Sequence, residues 1–426
     1  MRLGFVIERK NYYRLFGAII DRALARGFEV DCWHDLSQLR SGPKALEFPD
    51  PSAVPRFRQG RPRVQTYRGA ADLARRLGSE PRDAMVAVGC GPAAGSAGAG
   101  RWFGLQYTLD VAALVEPDGR SRCDGIGLHT PYWALRTVDA LRIVFHNRPD
   151  VLASIDEAAI ARTVDAKGTV VGFPQMDQLH DIDRALVRRR LHERFGIDPA
   201  RPVVLYAPFP FRSNPRPFWV RHIYGAGNGL HQRLAVALAR RGEYRDHIAR
   251  GWTDRRVVDA VRRFCDANGA ALVVKARTKD PVPGYLARRA EAVLYDESYY
   301  PTTVLELMSI ASLVIHCFST ISYEAAYAAV PSICIAASQD DLGFPASWQE
   351  WFHSVKPGDT FNVPGVVYPL TLDATVHDLP SARLSDFPLE LPARARYIEK
   401  FVGFDDGKCS DRVLDAIQSL VEGRRR

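Results

Sequence analysis

The chain has 426 residues, of which 46% are hydrophobic and 25% charged, and its formal net charge is +8 at pH 7. These proportions are typical of globular proteins and exclude extensive disorder, and the length favours two domains over one. The positive charge suits phosphorylated small molecules or an anionic membrane surface, but the Arg clusters lack the interleaved aromatic residues of a nucleic-acid-binding module, so we expect no nucleic-acid partner.

The cysteines and the apolar segments indicate the compartment. Seven cysteines are scattered along the chain with no C-x-x-C pair and no histidine at zinc spacing, which favours a reducing environment and no metal site. The N-terminal MRLGFVIERK lacks the apolar core of a signal peptide, and no run of about eighteen apolar residues is present. We therefore expect a cytoplasmic protein, with at most a peripheral contact at the inner face of the plasma membrane.

The first half of the chain alternates strands and helices. An apolar strand at 2–7, helical spacing at 15–26 that ends at Gly27, and a second strand at 28–33 form a βαβ unit, which implies a parallel sheet. Further strands are predicted at 84–88, 143–146 and 169–171. Residues 36–63 and the Gly/Ala-rich run 89–104 are predicted as irregular connections, the second being either a lid or a passive linker.

A charged helical segment at 177–195 leads to Gly196-Ile197-Asp198-Pro199, which we interpret as an interdomain connection. Its Asp181-Ile182-Asp183 matches a metal-binding D-x-D pattern, but acidic residues at a helix start are the better interpretation. A second alternating block follows, with strands predicted at 203–207, 271–275, 313–315 and 332–336 and helices at 230–240, 254–268, 303–310, 393–401 and 411–420. The sequence thus predicts an α/β protein with two Rossmann-like parallel-sheet domains that face a central cleft, with bounds 1–180, a linker at 181–198, 199–385, and C-terminal helices at 386–426 that pack back toward the first domain.

The segment LVIHCFSTISYEAAYAAVPSICIA at 313–336 predicts a strand, a polar turn, a helix and a second strand. Ser319 and Thr320 offer hydroxyls and backbone N–H groups where the helix begins, which suits an anion site. The alternative is a helix cap in which Glu324 completes a capping box. Ligands of doubly wound sheets bind beyond the carboxyl ends of the strands, and Lys275, Arg277 and the segment 8–10 also follow predicted strands. A nucleoside diphosphate fits such a position, because cations stabilise the charge that develops on a leaving phosphate.

Several motifs in order resemble a known superfamily. VVGFPQMDQL at 170–179 resembles the G-x-P-x-x-D-x-L element of UDP-N-acetylglucosamine 2-epimerase-like and CDP-glycerol glycerophosphotransferase-like proteins, both of the GT-B superfamily. VVLYAPF at 203–209 is similar to the first strand of their nucleotide-binding domain, and LVVKARTKD at 272–280 to their K-x-H-P strand end. FSTISYEAAYAAVPSICI resembles their donor site, and FVGFDDGKCSDRVLDAI at 401–417 the closing G-x-x-D-G-K-x-S-x-R helix of bacterial surface-polysaccharide enzymes.

The chain departs from these families at positions that carry chemistry. His316-Cys317 stands where the phosphotransferases have an Asp before the serine pair, and Ala276-Arg277 stands where they have a His. Tyr107, between Gln106 and Thr108, replaces the His of an acceptor-side Q-H-G. These differences disfavour glycerophosphate transfer and epimerisation, and a glycosyltransferase is the class that we expect.

The resemblance implies roles for residues on the donor side. Backbone N–H groups of Ser319 and Thr320 would hold the donor diphosphate, and Glu324 would accept hydrogen bonds from the ribose. Lys275 and Arg277 would neutralise the leaving phosphate, for which Arg is a suitable substitute for His. The remaining donor-side candidates are His316, Gln339 and Asp340, with a solvated loop as the alternative for the last two.

An acceptor hydroxyl must lose its proton, so an inverting enzyme needs a base on the N-terminal side of the cleft. Glu8 is the first candidate, with Lys10, Tyr12 and Tyr13 beside it to bind the acceptor, and with a purely structural role for Glu8 as the alternative. Asp110 and His129 are further candidates for the base.

The expected function is transfer of a sugar from a nucleotide-activated donor to a cell-surface glycan or lipid-linked acceptor, with no metal and no cofactor besides the donor substrate. A CDP-glycerol-type polyol-phosphate transferase, a UDP-sugar 2-epimerase-like enzyme and a non-catalytic relative stay open as alternatives. The nucleotide of the donor, whether UDP, GDP, CDP or CMP, also stays open.

Overall fold

The computed structural model describes residues 1–37, 54–94, 96, 100–107, 113–145, 148–208, 254–276, 282, 284–295, 298–336 and 354–423. Within these residues the chain forms two parallel sheets. The strands of the first sheet are β1 (Arg2–Ile7), β2 (Glu29–Asp35), β3 (Arg63–Tyr67), β4 (Ala84–Val88), β5 (Arg101–Leu105), β6 (Gly125–Leu128) and β7 (Gly168–Val170). Those of the second are β8 (Val203–Tyr206), β9 (Ala271–Lys275), β10 (Ala292–Leu294), β11 (Leu313–His316), β12 (Ser332–Ala336) and β13 (Val367–Thr371).

Helices connect the strands of both sheets. Those of the N-terminal part are α1 (Tyr12–Ala25), α2 (Gly69–Ser79), α3 (Pro131–Leu135), α4 (Thr137–Val144), α5 (Pro149–Leu152), α6 (Glu157–Lys167) and α7 (Arg184–Phe195). Those of the C-terminal part are α8 (Asp254–Ala267), α9 (Gly284–Ala287), α10 (Thr303–Met308), α11 (Ile321–Tyr327), α12 (Leu372–His377), α13 (Leu391–Tyr397) and α14 (Cys409–Val421). Short 3₁₀ segments lie at Pro174–Asp181, Leu379–Ser381 and Leu384–Asp386, and a π-helical turn at Ile398–Val402.

The two sheets share one topology. The first has the spatial order β3-β2-β1-β4-β5-β6-β7 and the second β10-β9-β8-β11-β12-β13, so in both the chain starts in the middle and reverses direction once. The strands pair in parallel, and central strands such as β9 are buried along their whole length because helices cover both faces. This is the doubly wound arrangement, and it confirms the two Rossmann-like sheets expected from the sequence.

The structure corrects three sequence predictions. Ile143 belongs to helix α4, where it packs in the core, and not to a strand. The Gly-rich run contains strand β5, because Trp102 and Phe103 are buried against neighbouring strands despite the loop-like composition around them. The helix predicted at 177–195 is interrupted, since Asp183 accepts a hydrogen bond of 3.0 Å from the Leu186 N–H and starts α7 afresh. The helix predicted at 230–240 lies outside the described residues.

The first helix is longer than its apolar spacing indicated. It begins at Tyr12, three residues before the predicted start, because Tyr12 and Tyr13 are buried with the apolar face of the helix. Gly27 follows it with φ +74°, a left-handed conformation that glycine adopts without steric cost. The helix therefore starts directly after the turn that carries Glu8.

Two motifs that carried the family resemblance contact each other. The Asp177 carboxylate accepts hydrogen bonds from the backbone N–H groups of Cys409 (3.1 Å) and Ser410 (2.6 Å) and so caps α14. A Cβ at Gly172 would lie 2.6 Å from the Cys409 sulfur, which explains the glycine there. Arg26 of α1 forms ion pairs of 2.7 Å with Asp411 and Asp415 of α14. These contacts hold the C-terminal helix against the first part of the chain, which gives both motifs a structural role.

Candidate active site between the two sheets

The carboxyl end of the first sheet meets the second sheet through direct contacts. The Tyr132 hydroxyl, on α3 after β6, donates to the Asp359 carboxylate at 3.3 Å. Trp133 of the same helix packs edge-on against Tyr323 of α11, with ring centroids 5.8 Å apart. On α1, Arg14 Nη2 lies 3.9 Å from Glu324 Oε1 of α11. The turns after β1, β6 and β11 thus face the same interdomain space.

The turn between β11 and α11 has an unusual backbone. Phe318 adopts φ +42°, a left-handed conformation that costs a non-glycine residue about 1–3 kcal/mol and often marks functional sites. The Ser319 N–H donates to His316 Nδ1 at 3.3 Å, and Ser319 Oγ accepts from the Ile321 N–H at 3.4 Å. Thr320 is exposed, and its side chain makes no capping hydrogen bond. The Ser319 N–H is therefore engaged within the turn, and Thr320 is the member of the predicted pair that faces solvent.

His316, at the buried end of β11, supports this turn through its hydrogen bond with the Ser319 N–H. It is completely buried, and burial lowers the pKa of its imidazole to about 3, so the ring is neutral at pH 7. Because Nδ1 accepts from Ser319, the proton resides on Nε2, for which no hydrogen-bond partner is found among the described residues. His316 therefore acts as a buried hydrogen-bond acceptor for the turn.

Two further donor-side candidates, Lys275 and Glu324, lie within the described part of the chain. Lys275 ends β9, is 8% exposed and donates from Nζ to the Ala276 carbonyl at 2.7 Å. Glu324 lies in the first turn of α11, with its carboxylate directed toward Arg14 and not into a capping box. Arg277, Gln339, Asp340 and the acceptor-side Asp110 lie outside the described residues.

Glu8 lies at the carboxyl end of β1, at the edge of the interdomain space. Its carboxylate accepts a long hydrogen bond of 3.4 Å from the Tyr12 hydroxyl. Burial raises the pKa of Glu8, and the nearby charge of Asp35 raises it further. A carboxylate with a raised pKa is a stronger base, which suits proton abstraction from a hydroxyl. Lys10 is half-buried in the same turn.

Two predicted acceptor-side residues lie deeper than the sequence indicated. Tyr13 is buried and its hydroxyl lies 2.7 Å from Nε2 of His34, so its role is structural. His129 is buried and stacks on Phe173, with ring centroids 3.7 Å apart. Burial lowers the pKa of His129 to about 3, and neither ring nitrogen has a partner among the described residues. The stack continues from Phe173 to Tyr323 of α11, so His129 supports the interdomain contact.

Three polar residues at the same sheet edge were not predicted from the sequence. Asp35 and Tyr67 end β2 and β3, and Asn11 follows β1. Gln106, at the first position of the Q-H-G comparison, follows β5 at the same edge. The strand predicted at 28–33 stopped two residues short of Asp35, and β3 was not predicted at all. Local spacing gave no signal for the last two residues of β2, because the polar His34 and Asp35 follow Trp33 and are buried all the same.

Neither a metal centre nor a membrane span is found in the part of the chain that the structure describes. No cluster of three or more His, Cys, Asp or Glu side chains there is arranged to hold a metal ion. Among the described helices, none is long and apolar enough to cross a bilayer.

No protein-family model and no curated protein sequence matches the chain. Solved structures match its fold. A variant of the wall teichoic acid polymerase TagF soaked with CDPG has a TM-score of 0.56 at 13% identity, covering 100% of this chain and 90% of that one. A proposed UDP-N-acetylglucosamine 2-epimerase from Listeria monocytogenes has a TM-score of 0.52 at 12% identity, covering 100% and 98%. The UDP-GlcNAc 2-epimerase from Neisseria meningitidis bound to UDP-GlcNAc has a TM-score of 0.50 at 10% identity, covering 98% and 100%. These similarities extend over nearly the whole chain and confirm the GT-B fold expected from the motifs.

Proposed function

We propose that this protein is a glycosyltransferase that moves a sugar from a nucleotide-activated donor to a hydroxyl of a glycan or a lipid-linked acceptor. The contact between Arg14 and Glu324 carries this proposal. Arg14 lies in the first turn of the helix after Glu8, and Glu324 in the first turn of the helix after Ser319 and Thr320. The candidate base and the candidate donor turn therefore face each other across one cleft, as a transfer between two bound substrates requires.

The chemistry assigns a role to each side. Glu8 accepts the proton of the attacking hydroxyl, which its raised pKa favours. As the bond between the sugar and the phosphate breaks, the electron pair stays on the leaving nucleotide. Lys275 and Arg277 then neutralise the negative charge of the leaving phosphate. Cations of the chain then do the work that a metal ion does in other transferases. The net charge of +8 supports an additional peripheral contact with anionic lipid when the acceptor is lipid-linked.

Two alternative functions have specific support. The fold similarity to TagF soaked with CDPG favours a CDP-glycerol-type polyol-phosphate transferase. The similarity to an epimerase bound to UDP-GlcNAc favours a UDP-sugar 2-epimerase. Against the first stands Tyr107 at the position of the acceptor-side histidine.

The three reactions leave different products, so NMR of the reaction mixture separates them. The protein is incubated with UDP-GlcNAc, other nucleotide sugars or CDP-glycerol, with and without a panel of neutral oligosaccharides and polyprenyl-linked sugars. We expect free nucleotide and a new glycosidic signal only when a donor sugar and an acceptor are both present. Appearance of the C2 epimer without any acceptor, or turnover of CDP-glycerol alone among the donors, contradicts the proposal.

A pair of glutamate variants tests the role of the base. Glu8→Gln keeps the shape of the side chain but cannot accept the proton, so we expect loss of transfer with donor binding retained. Glu399→Gln makes the same chemical change at an exposed position in the π-helical turn and serves as the matched control. Equal activity of the two variants contradicts the assignment of Glu8.

A further inference from the structure

Three side chains lie next to one another at the carboxyl ends of adjacent strands. Ile7, the last residue of β1, pairs with His34 of β2, and the charge of Asp35 acts on Glu8, the residue after the strand end, so the two carboxyl groups lie close together. Asp35 in turn pairs with Tyr67 in the register of β2 and β3. Residues at one level of parallel strands point to the same face of the sheet. Glu8, Asp35 and Tyr67 therefore form one row, which we call the carboxylate row.

Two of the three side chains in the carboxylate row carry carboxyl groups, and the charge of the exposed Arg9 opposes the effects of burial and of Asp35 on the pKa of Glu8 without cancelling them. No ion pair within the described residues joins Glu8 or Asp35 to a Lys, Arg or His side chain. Asp35 is 4% exposed, and its Oδ1 accepts the Ser37 N–H at 2.8 Å, which leaves Oδ2 for another donor. The mutual effect of the two groups is visible in Glu8, whose pKa is raised first by burial and then by the charge of Asp35.

Buried polar atoms without a hydrogen-bond partner among the described residues lie in and near the carboxylate row. The Tyr67 hydroxyl belongs to a side chain that is 1% exposed, and it has no hydrogen-bond partner in the described part of the chain. The charges of Asp35 and Glu8 both act on it, after burial, to raise the pKa of Tyr67, so the hydroxyl is close to the two carboxylates. The carbonyl oxygen of the Asn11 side chain is also buried without a partner among these residues. Because buried polar groups are normally hydrogen-bonded, these atoms indicate a polar ligand.

Aromatic rings flank the row on the cleft side. Tyr12 and Tyr107 lie with ring centroids 5.6 Å apart, and the Asn11 side chain donates to the Tyr107 hydroxyl at 3.0 Å. Tyr12 donates to Glu8, so its ring is fixed next to the carboxylate. Aromatic faces beside hydrogen-bond acceptors match the C–H face and the hydroxyl groups of a sugar ring.

We propose that Glu8, Asp35 and Tyr67 form the acceptor subsite and that it accepts only a sugar end without negative charge. The row and the unpartnered Asn11 side-chain oxygen offer acceptor oxygens, with the Tyr67 hydroxyl as the one donor of this set, so a ligand that contacts them must donate hydrogen bonds, as sugar hydroxyls do. A phosphate or carboxylate group brings further acceptors and a like charge, and the two carboxylates repel it. The term acceptor subsite rests on the proposed function, whereas the preference for an uncharged sugar is a property of binding alone.

Matched pairs of ligands test this selectivity. Binding at pH 7 is measured by ligand-observed NMR for glucose and glucose 6-phosphate, N-acetylglucosamine and its 6-phosphate, and glycerol and glycerol 3-phosphate. We expect the uncharged member of the sugar pairs to bind at least about tenfold more tightly, equivalent to about 1.4 kcal/mol. Equal or tighter binding of the phosphorylated members, or no binding of any member, overturns the proposal.

Variants of the carboxylate row test whether its residues determine the preference for uncharged sugars. Tyr67→Phe removes a single oxygen and is expected to weaken binding of the uncharged sugars about threefold or more. Asp35→Asn is expected to reduce the preference for the uncharged member about fivefold, whereas Asp118→Asn, at an exposed carboxylate, leaves it unchanged. An unchanged preference in Asp35→Asn overturns the proposal. If that variant does not fold, Glu8→Gln, at a half-buried position, removes the same charge and is held to the same criterion.

The same samples separate this inference from the proposed function. Each ligand pair is measured with and without the nucleotide sugars of the donor panel. If the uncharged sugars bind with the expected preference and no nucleotide binds, the subsite stands and the transferase fails. If nucleotides bind and the preference is absent, the transferase stands and the subsite fails.

Discussion

Arg14 of α1 and Glu324 of α11 form an ion pair of 3.9 Å that joins the helix after the acceptor-side turn of β1 to the helix after the donor-side turn of β11. The two side chains are 30% and 14% exposed, and a pair of this kind contributes about 0–1 kcal/mol to stability. The contact matters for position more than for stability, because it fixes the Glu324 carboxylate next to the first helix of the chain, at the interdomain space. There its carboxylate can keep Arg14 as a partner and still accept hydrogen bonds from a ribose.

This arrangement predicts different effects for the two partners on nucleotide binding. Glu324→Gln removes a charged hydrogen-bond acceptor for the ribose, so we expect about a tenfold loss of affinity for nucleoside diphosphates, or about 1.5 kcal/mol. Arg14→Gln removes the ion pair but no nucleotide contact, and the affinity is expected to stay within about threefold of the wild type. Isothermal titration calorimetry measures both. Equal losses in the two variants contradict the ribose assignment.

Lys275 is predicted to bind the diphosphate. Lys275→Met keeps the aliphatic chain and removes the charge, so affinity for a nucleoside diphosphate should fall about tenfold or more, and affinity for the nucleoside without phosphates should not change. Lys167→Met is the matched control, because Lys167 also donates to backbone carbonyls, those of Ser121 and Cys123 at 2.9 and 2.7 Å. Both variants are tested by calorimetry. A similar loss in Lys167→Met, or a loss for the bare nucleoside, contradicts the prediction.

Asp35 is predicted to influence the pH dependence of transfer through Glu8. Burial and the charge of Asp35 both raise the pKa of Glu8, and the base must be deprotonated to act. Asp35→Asn removes the charge and lowers that pKa, so the acidic limb of the kcat/KM profile should move to lower pH. The profile of Asp118→Asn provides the reference. An acidic limb that stays in place, or moves to higher pH, shows that Glu8 does not determine it.

The buried histidines predict a loss of stability in acid. Burial lowers the pKa of His129 and of His316 from 6.5 to about 3, so the unfolded state binds protons that the folded state does not. Each histidine therefore lowers the free energy of unfolding by about 1.4 kcal/mol for each pH unit between about 6 and 3. His129→Phe, which keeps a ring against Phe173, is expected to remove one such contribution. Urea unfolding at pH 7, 6 and 5 measures it, and an unchanged slope in the variant contradicts the assignment.

Most of the sheet architecture could be predicted from the sequence because central parallel strands are continuous apolar runs. β1, β4 and β9 were predicted with the bounds that the structure shows. β5 was missed because its neighbours are glycine and alanine, and its burial depends on contacts with distant strands. The G-x-P-x-x-D-x-L element was also informative, although its physical basis, Asp177 as the cap of α14, depends on residues more than two hundred positions away.

The candidate site was less predictable, because hydrogen-bond direction and depth are not encoded in local spacing. Ser319 was expected to offer its N–H to a phosphate, but His316 accepts that N–H at 3.3 Å. Tyr13 was expected to face the acceptor, but one helical position separates it from Tyr12 and turns it toward His34. Asp35 was missed because its importance comes from its proximity to Glu8, which follows the neighbouring strand β1.

Binding of a nucleotide donor is the central claim, and a thermal-shift panel of UDP-, GDP-, CDP- and CMP-linked donors tests it most directly. At a concentration about one hundred times the dissociation constant, a ligand that binds only the folded protein adds about 2.7 kcal/mol of stability. We predict a clear rise in Tm for at least one nucleotide sugar, reduced in Lys275→Met and retained in Lys167→Met. The absence of any rise across the panel at millimolar concentration contradicts the account.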